Sequence, residues 1–197
     1  MNHAGFKLSF WHPFGPHAQE SMDEIIERKR AEILANGWTL WSFTYRPMLA
    51  DWHRELQNAT QDGVFVFCSE GKGAVDPVRE GSLSRAIDCQ RYRFVDSGTK
   101  WLPMPSGVRV PHPFQPGRKK LASAFVVQRI ICPVEPFQRP SVEWFSPDKG
   151  PWCQTTIPAR GVYLIRQGGM IAMRSVSAIL GLKPPYLAVC SAEEIGI

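Results

Sequence analysis

The chain has 197 residues, of which 44% are hydrophobic and 21% are charged, so we expect one domain with a packed core rather than a disordered chain. No apolar run approaches the roughly 18 residues that cross a bilayer, and the first residues lack the apolar stretch of a secretory signal. We therefore expect a cytoplasmic protein with no membrane partner. The five cysteines are widely spaced without a CxxC pair, which argues against a disulfide framework and a zinc site.

Positive charge is concentrated in the middle of the chain. The net charge is +5 overall, but residues 85–140 hold ten Lys or Arg against three Asp or Glu. Such a concentration predicts an anionic partner for this region. A basic face that serves only solubility explains the same charge and remains an open alternative.

The clearest helix lies between residues 21 and 37. Ser21 and Glu24 have the spacing of a capping box, in which each side chain binds the other residue's backbone N–H. An apolar stripe with helical spacing follows, and Gly37 is a natural stop because glycine adopts the left-handed conformation easily.

Three further elements precede residue 72. The stretch WTLWSFTY, residues 38–45, is rich in aromatic residues and threonine and predicts a strand. Pro47 then opens a second predicted helix. The stretch GVFVFCSEG, residues 63–71, predicts another buried strand that ends at glycine.

Beyond residue 71 the pattern changes to short apolar runs separated by proline and glycine, which favours an antiparallel sheet. Residues 173–180 fit either a helix or a strand. The predicted fold class is α+β, a mostly antiparallel β-sheet or small barrel with two N-terminal helices packed on it. We expect a single domain over residues 1–197, with a barrel-like part at about 5–135 and a strand-rich extension at about 136–197.

Residues 100–120 combine five positive charges with aromatic side chains and no acidic residue. Lys and Arg suit phosphates, whereas aromatic faces such as that of Trp101 suit bases through stacking. Prolines stiffen the segment and lower the entropy lost on binding. A crossover loop whose aromatic residues fill the core explains the same composition.

Motifs for catalysis are missing from the sequence. It contains no GxSxG, no phosphate-binding GxxxxGK[ST] and no HExxH, so we predict no catalytic residue, no metal and no cofactor. His12 and His17 lie five residues apart in a Pro/Gly-rich segment without a visible third ligand. A small-molecule enzyme stays an alternative if several polar side chains converge on one cleft. The candidates for such a cleft are His12, His17, Asp51, His53 and Glu55.

The order of elements resembles the PUA-like superfamily, notably its EVE and ASCH branches. The resemblance covers roughly residues 5–135 and rests on an opening strand before a helix, the glycine-bounded GVFVFCSEG, the basic SRAIDCQRYRF and the later ASAFVVQRI. It implies a PUA-like fold that recognises RNA or modified DNA through an aromatic, basic cleft. The positions that match this cleft are Trp11, His12, Trp41, Ser42, Arg91 and Arg93.

Charge, aromatic content and the resemblance together predict a non-catalytic binding module for a nucleic acid or a nucleotide-like ligand. Trp11, His12, Trp41 and Ser42 would form the ligand pocket. The basic contacts would come from Arg91, Arg93, Arg109, Arg118, Lys119 and Lys120. An accessory domain that binds another protein through an exposed aromatic surface is a further alternative, and a homodimer is left open.

Overall fold

The computed structural model describes residues 8–17, 20–59, 63–71, 86–113, 120–134, 142–146, 150–155, 157, 161–167 and 175–193. Two helices, α1 (Met22–Asn36) and α2 (Leu49–Asn58), lie within these ranges. The strands are β1 (Leu8–Phe14), β2 (Thr39–Thr44), β3 (Phe65–Glu70), β4 (Ala86–Asp88), β5 (Arg91–Phe94), β6 (Leu102–Pro103), β7 (Pro111–Pro113), β8 (Leu121–Ile131), β9 (Val142–Ser146), β10 (Gly150–Cys153), β11 (Tyr163–Gln167) and β12 (Ala178–Ser191).

Helix α1 begins and ends at the predicted residues. The backbone N–H of Glu24 donates to Ser21 Oγ at 3.3 Å, and the N–H of Ser21 donates to the Glu24 carboxylate at 2.7 Å. Gly37, with a φ of 77°, closes the helix by donating to the carbonyl of Ile33. The predicted capping box is therefore confirmed, and it satisfies backbone groups that a helix end leaves unpaired.

Most of the described strands form one ten-stranded sheet, in which β10, β9, β11, β1, β3, β12, β5 and β6 follow each other. Strand β8 pairs with β12 and β2, whereas β4 and β7 form a separate pair. The β1–β3 pair is parallel and the other pairs are antiparallel. The α+β class with a mostly antiparallel sheet is confirmed. The described strands do not close into a barrel.

Strand β12 connects the two halves of this sheet. Its first residues pair with β3, as in Ala178 opposite Cys68, and its last residues pair with β5, as in Val189 opposite Arg93. Strand β8 accompanies β12 across register shifts between Gly181 and Leu187. Bulges of this kind bend a strand, so one strand can serve two packed sheet halves.

The main core lies between these halves and beneath the helices. Phe10 of β1 packs against Phe125 of β8, with ring centroids 4.9 Å apart, and against the fully buried Trp52 of α2. A second buried cluster around Cys190 and Val110 covers one outer face of the sheet. A third cluster, around Trp11 and Trp144, covers another.

The structure also settles part of the ambiguous stretch 173–180. Residues 175–177 are described without a helix, and β12 begins at Ala178. Residues 173–174 lie outside the described ranges. The proposed division near residue 135 stays a prediction, although strands from both sides of it share the ten-stranded sheet. In the described part of the chain, neither helix has the length or apolar character needed to cross a bilayer.

A buried ion pair joins α1 to the sheet. Lys29 Nζ lies 2.8 Å from a Glu32 carboxylate oxygen and donates to the carbonyl of Arg109 at 2.6 Å. Thr39 of β2 donates to the same carboxylate. Burial lowers the pKa of Lys29 from 10.5 to about 8, because the charged amine loses more hydration than the nearby Glu32 restores. Glu32 is therefore the counter-charge that makes a buried lysine tolerable.

We expect Glu32→Ala to lower the free energy of unfolding by about 3–5 kcal/mol, since it leaves the Lys29 ammonium buried without a counter-charge. Urea denaturation followed by circular dichroism measures this loss. The matched control is Glu27→Ala, which breaks the exposed pair between Glu27 and Arg30 and costs about 1 kcal/mol or less. Equal small losses in both variants would contradict a structural role for the buried pair.

Candidate functional site

The two tryptophans predicted to hold a base are core residues. Trp11 is 2% exposed, donates from Nε1 to Ser69 Oγ at 3.0 Å, and stacks on Tyr163. Trp41 is 4% exposed and packs edge-on against Phe14. Trp11 belongs to the outer cluster and Trp41 to the main core, so the structure does not bring them to one surface. Neither ring offers a free face on which a base could stack.

His12 and Trp41 both contact Phe14 in the main core, whereas Ser42 lies on the other face of β2. Strand β1 alternates its side chains, so His12 points away from Trp11 and towards the rings of Phe14, Phe43 and Phe125, at centroid distances of 6.2–6.4 Å. Its Nδ1 is buried and has no hydrogen-bond partner among the described residues. Ser42 is half-buried and alternates with Trp41 along β2. The four predicted pocket residues thus form no common pocket.

The basic residues of β5 do converge, and they converge on a different tryptophan. Arg91 and Arg93 alternate with Tyr92 along the strand, so both side chains extend from one face. Their guanidinium carbons lie 4.9 and 5.4 Å from the ring centroid of Trp101. Both distances are within cation–π range. We call Arg91, Trp101 and Arg93 the Arg–Trp cluster.

Hydrogen bonds orient one arginine of the cluster and leave the other incompletely paired. Arg93 Nη1 donates to the carbonyl of Gly98 at 2.6 Å, which holds the guanidinium near the ring. Arg91 Nη2 lies 3.6 Å from a carboxylate oxygen of Glu193. The Nε of Arg91 is buried and has no acceptor among the described residues. A buried donor without an acceptor is a place where a ligand atom could bind.

Two exposed lysines lie near the cluster in sequence or in strand order. Lys100 precedes Trp101 and is exposed. Lys120 is exposed as well, and its carbonyl accepts from the N–H of Ala192 at 3.1 Å, next to the residue that pairs with Arg91. Lys120 adjoins the start of β8, on the opposite side of β12 from Arg91, and the acidic Glu193 lies closer to Arg91 than any described lysine contact.

The remaining predicted basic residues either lie away from the Arg–Trp cluster or belong to the parts of the chain that the structure does not describe. Arg109 pairs with Asp88 at 3.2 Å, and its carbonyl is the acceptor that holds Lys29. No described contact links Arg109 to Trp101. Arg118 and Lys119 lie outside the described residues.

The candidate residues of an enzyme do not meet in the described contacts. His17 Nε2 lies 3.3 Å from the carbonyl of Pro111, and Asp51 pairs with Arg54 on α2. His53 and Glu55 are half-buried on the same helix, and neither contacts His12 within the described residues. Among the described residues, no group of three or more His, Cys, Asp or Glu side chains has the arrangement of a metal site.

Exposed apolar residues occur near the C-terminal end of α1. Leu34 is 89% exposed. Arg30 on the same helix donates to Cys132 Sγ at 3.4 Å. Cys132 is close in sequence to Ile131 and Val134, which are also exposed. Single exposed apolar side chains are common on protein surfaces and do not by themselves mark a docking site.

Comparison of the chain with sequence families, with curated proteins and with solved structures finds no match in any of the three. The resemblance to the PUA-like superfamily therefore stays a prediction.

The burial of His12 makes the fold sensitive to acid. Partial burial beside the phenylalanine rings lowers the pKa of His12 from 6.5 to about 4, because the imidazolium loses hydration there. The unfolded chain therefore binds a proton at a higher pH than the folded chain does. This contribution to stability is fully present above pH 6.5 and is lost as the pH falls towards 4.

We expect the free energy of unfolding to fall by about 2 kcal/mol from this residue alone between pH 6.5 and 4.5. In His12→Phe, whose ring suits the aromatic surroundings, this part of the loss disappears. Urea denaturation at several pH values measures, for both proteins, how the free energy of unfolding changes with pH. His53→Gln serves as the control for removal of a histidine elsewhere in the chain. An unchanged pH dependence in His12→Phe would show that His12 does not titrate in this way.

Proposed function

We propose that the protein is a non-catalytic binding module for a nucleic acid or a nucleotide-like ligand, and that the Arg–Trp cluster is its contact surface. The observation that carries this proposal is that the guanidinium carbons of Arg91 and Arg93 lie 4.9 and 5.4 Å from the ring centroid of Trp101. The site differs from the predicted one, since Trp101 takes the place of Trp11 and Trp41.

The chemistry of the cluster suits a phosphorylated ligand with a flat ring. A guanidinium group that stacks on an aromatic ring keeps N–H donors along its edge, and these donors can bind phosphate oxygens. Its planar face can also stack on a nucleobase, as arginine does in many RNA complexes. Trp101 thus serves as a support for Arg91 and Arg93 and presents a second flat surface beside them.

The local backbone supports this arrangement. Arg91 lies opposite Pro103 of β6, and the chain turns between the two strands through residues 95–101. The contact between Arg91 and Glu193 is long and the carboxylate is half-exposed, so a phosphate can replace it at little cost. The cluster is therefore ordered without being closed by strong internal ion pairs.

Fluorescence anisotropy with a labelled single-stranded RNA, the matching DNA and a duplex tests the proposal. We expect Trp101→Ala to weaken binding of single strands about 5- to 100-fold, the range for loss of one stacked base. We expect Arg93→Gln to weaken binding and to lower the slope of log affinity against log salt by about 1. Circular dichroism and thermal unfolding confirm that each variant is folded.

Arg54→Gln is the matched control, because Arg54 is an exposed arginine on α2 that pairs only with Asp51 among the described contacts. It changes the net charge as Arg93→Gln does, away from the cluster, and we expect it to keep wild-type affinity. Absence of binding at low salt, or equal losses in Arg54→Gln and Arg93→Gln, would refute the proposed contact surface.

A further inference from the structure

Two buried cysteines meet where β5 pairs with β12. Cys89 lies between β4 and β5, and Cys190 lies near the end of β12, opposite Tyr92 of β5. The backbone N–H of Gln90 donates to the carbonyl of Ser191 at 2.8 Å, so the residues that follow the two cysteines are joined directly. Both cysteines also belong to one buried apolar cluster. Strand pairing thus brings together two thiols that are far apart in the sequence.

The two thiols form a hydrogen bond with each other. This bond is the first cause, and burial the second, that raises the pKa of Cys190 well above its ordinary value. A hydrogen bond that raises the pKa of a thiol stabilises its protonated form, so Cys190 is the donor and Cys89 Sγ the acceptor. The positive charge of Lys29 acts on Cys190 in the opposite direction. The two sulfur atoms are therefore within hydrogen-bonding distance of each other.

The backbone fixes both cysteines, and only one of them reaches the surface. The N–H of Cys89 donates to the carbonyl of Val110 at 3.1 Å, and Cys190 also pairs with Ala122 of β8. Cys190 is fully buried, whereas Cys89 is 4% exposed and is followed by the exposed Gln90. Cys89 is therefore the thiol of the pair that lies nearer to solvent.

This pair differs from other cysteines of the chain by its thiol–thiol contact. Cys68 is as deeply buried as Cys190, and Cys132 is exposed and accepts a hydrogen bond from Arg30. No described hydrogen bond joins Cys68 or Cys132 to another thiol. A buried cysteine without such a neighbour is chemically inert in most proteins, whereas two adjacent thiols can form a disulfide.

We propose that Cys89 and Cys190 are a redox-sensitive pair that hydrogen peroxide converts into a disulfide between the β4–β5 segment and β12. Cys89 Sγ attacks a peroxide oxygen, the O–O bond breaks, and the second oxygen leaves as water with the proton of Cys89. The sulfenic acid that results is then attacked by Cys190 Sγ. Its S–O bond breaks, and the oxygen leaves as a second water with the proton of Cys190. The two thiols lose two electrons, and the peroxide gains them.

The inference does not rest on the proposed nucleic-acid function. Tyr92 and Cys190 belong to the buried cluster on one face of the sheet, whereas Arg91 and Arg93 alternate with Tyr92 and extend from the other face. The Cys89–Cys190 pair therefore lies behind the Arg–Trp cluster. Its oxidation needs no ligand at that cluster, and the failure of either proposal would leave the other standing.

Peroxide treatment of the folded chain, followed by peptide mapping, tests the proposal. Cys132→Ser is the starting protein, because two copies could otherwise link through this exposed thiol. After treatment, the remaining thiols are alkylated under denaturing conditions, and the digest is analysed by mass spectrometry without reduction. We expect a peptide pair linked through Cys89 and Cys190, a loss of two hydrogen atoms from the intact mass, and recovery of both thiols with dithiothreitol.

Three further variants, each in the starting protein, connect the link to the geometry. In Cys190→Ser the second thiol is absent, so we expect dimedone, a reagent for sulfenic acids, to label Cys89. In Cys89→Ser we expect no label on Cys190, because it is fully buried and holds its proton. Cys68→Ala is the matched control, since it removes an equally buried thiol and retains the link.

The map of the starting protein is decisive even where a variant does not fold. The absence of a Cys89–Cys190 link in the folded protein, or a link that appears only after unfolding in urea, would overturn the proposal and leave both cysteines as packing residues. A dimedone label on Cys190 in Cys89→Ser would overturn the proposed order of attack.

Discussion

The pairing of β12 with β3, β5 and β8 is the constraint on which the rest of the structure depends. Because β12 changes partners along its length, the sheet bends and its two halves face each other across one aromatic core. That bend places His12 of one half against Phe43 and Phe125 of the other. It also aligns Arg91 and Arg93 beside β12, where the segment through Trp101 can cover them.

Cationic side chains with buried donors fall into two groups in the described structure, those whose donors are all paired and those with an unpaired donor. Lys29 is buried and fully satisfied by Glu32 and by the carbonyl of Arg109, so its charge serves the fold. Arg46 and Arg91 each retain a buried Nε without a described acceptor. Since a folded chain seldom leaves such donors unpaired, these two arginines differ from Lys29 in leaving a buried donor unused within the described structure.

Local signals in the sequence predicted local structure well. The capping box at Ser21, the strands around residues 39–44 and 65–70, and the antiparallel character of the remaining strands were all readable from side-chain type and spacing. The site was harder to predict, because Arg91, Arg93 and Trp101 meet only through the pairing of β5 with β6. Trp101 was recognised as an aromatic residue in a basic segment, but no spacing rule could select it over Trp11. Burial of Trp11 depends on Tyr163 and Ser69, which lie far away in the sequence.

The position of β12 late in the chain has a consequence for how the protein assembles. Strands β3, β5 and β8 leave the ribosome before their shared partner exists, so their hydrogen-bonding edges stay open during translation. Contacts between such distant segments form slowly, because the chain must lose much of its freedom before they stabilise it. Open edges in a growing chain also favour aggregation, and chaperones counter this hazard. The same strand that organises the sheet is thus also the partner for which three earlier strands must wait.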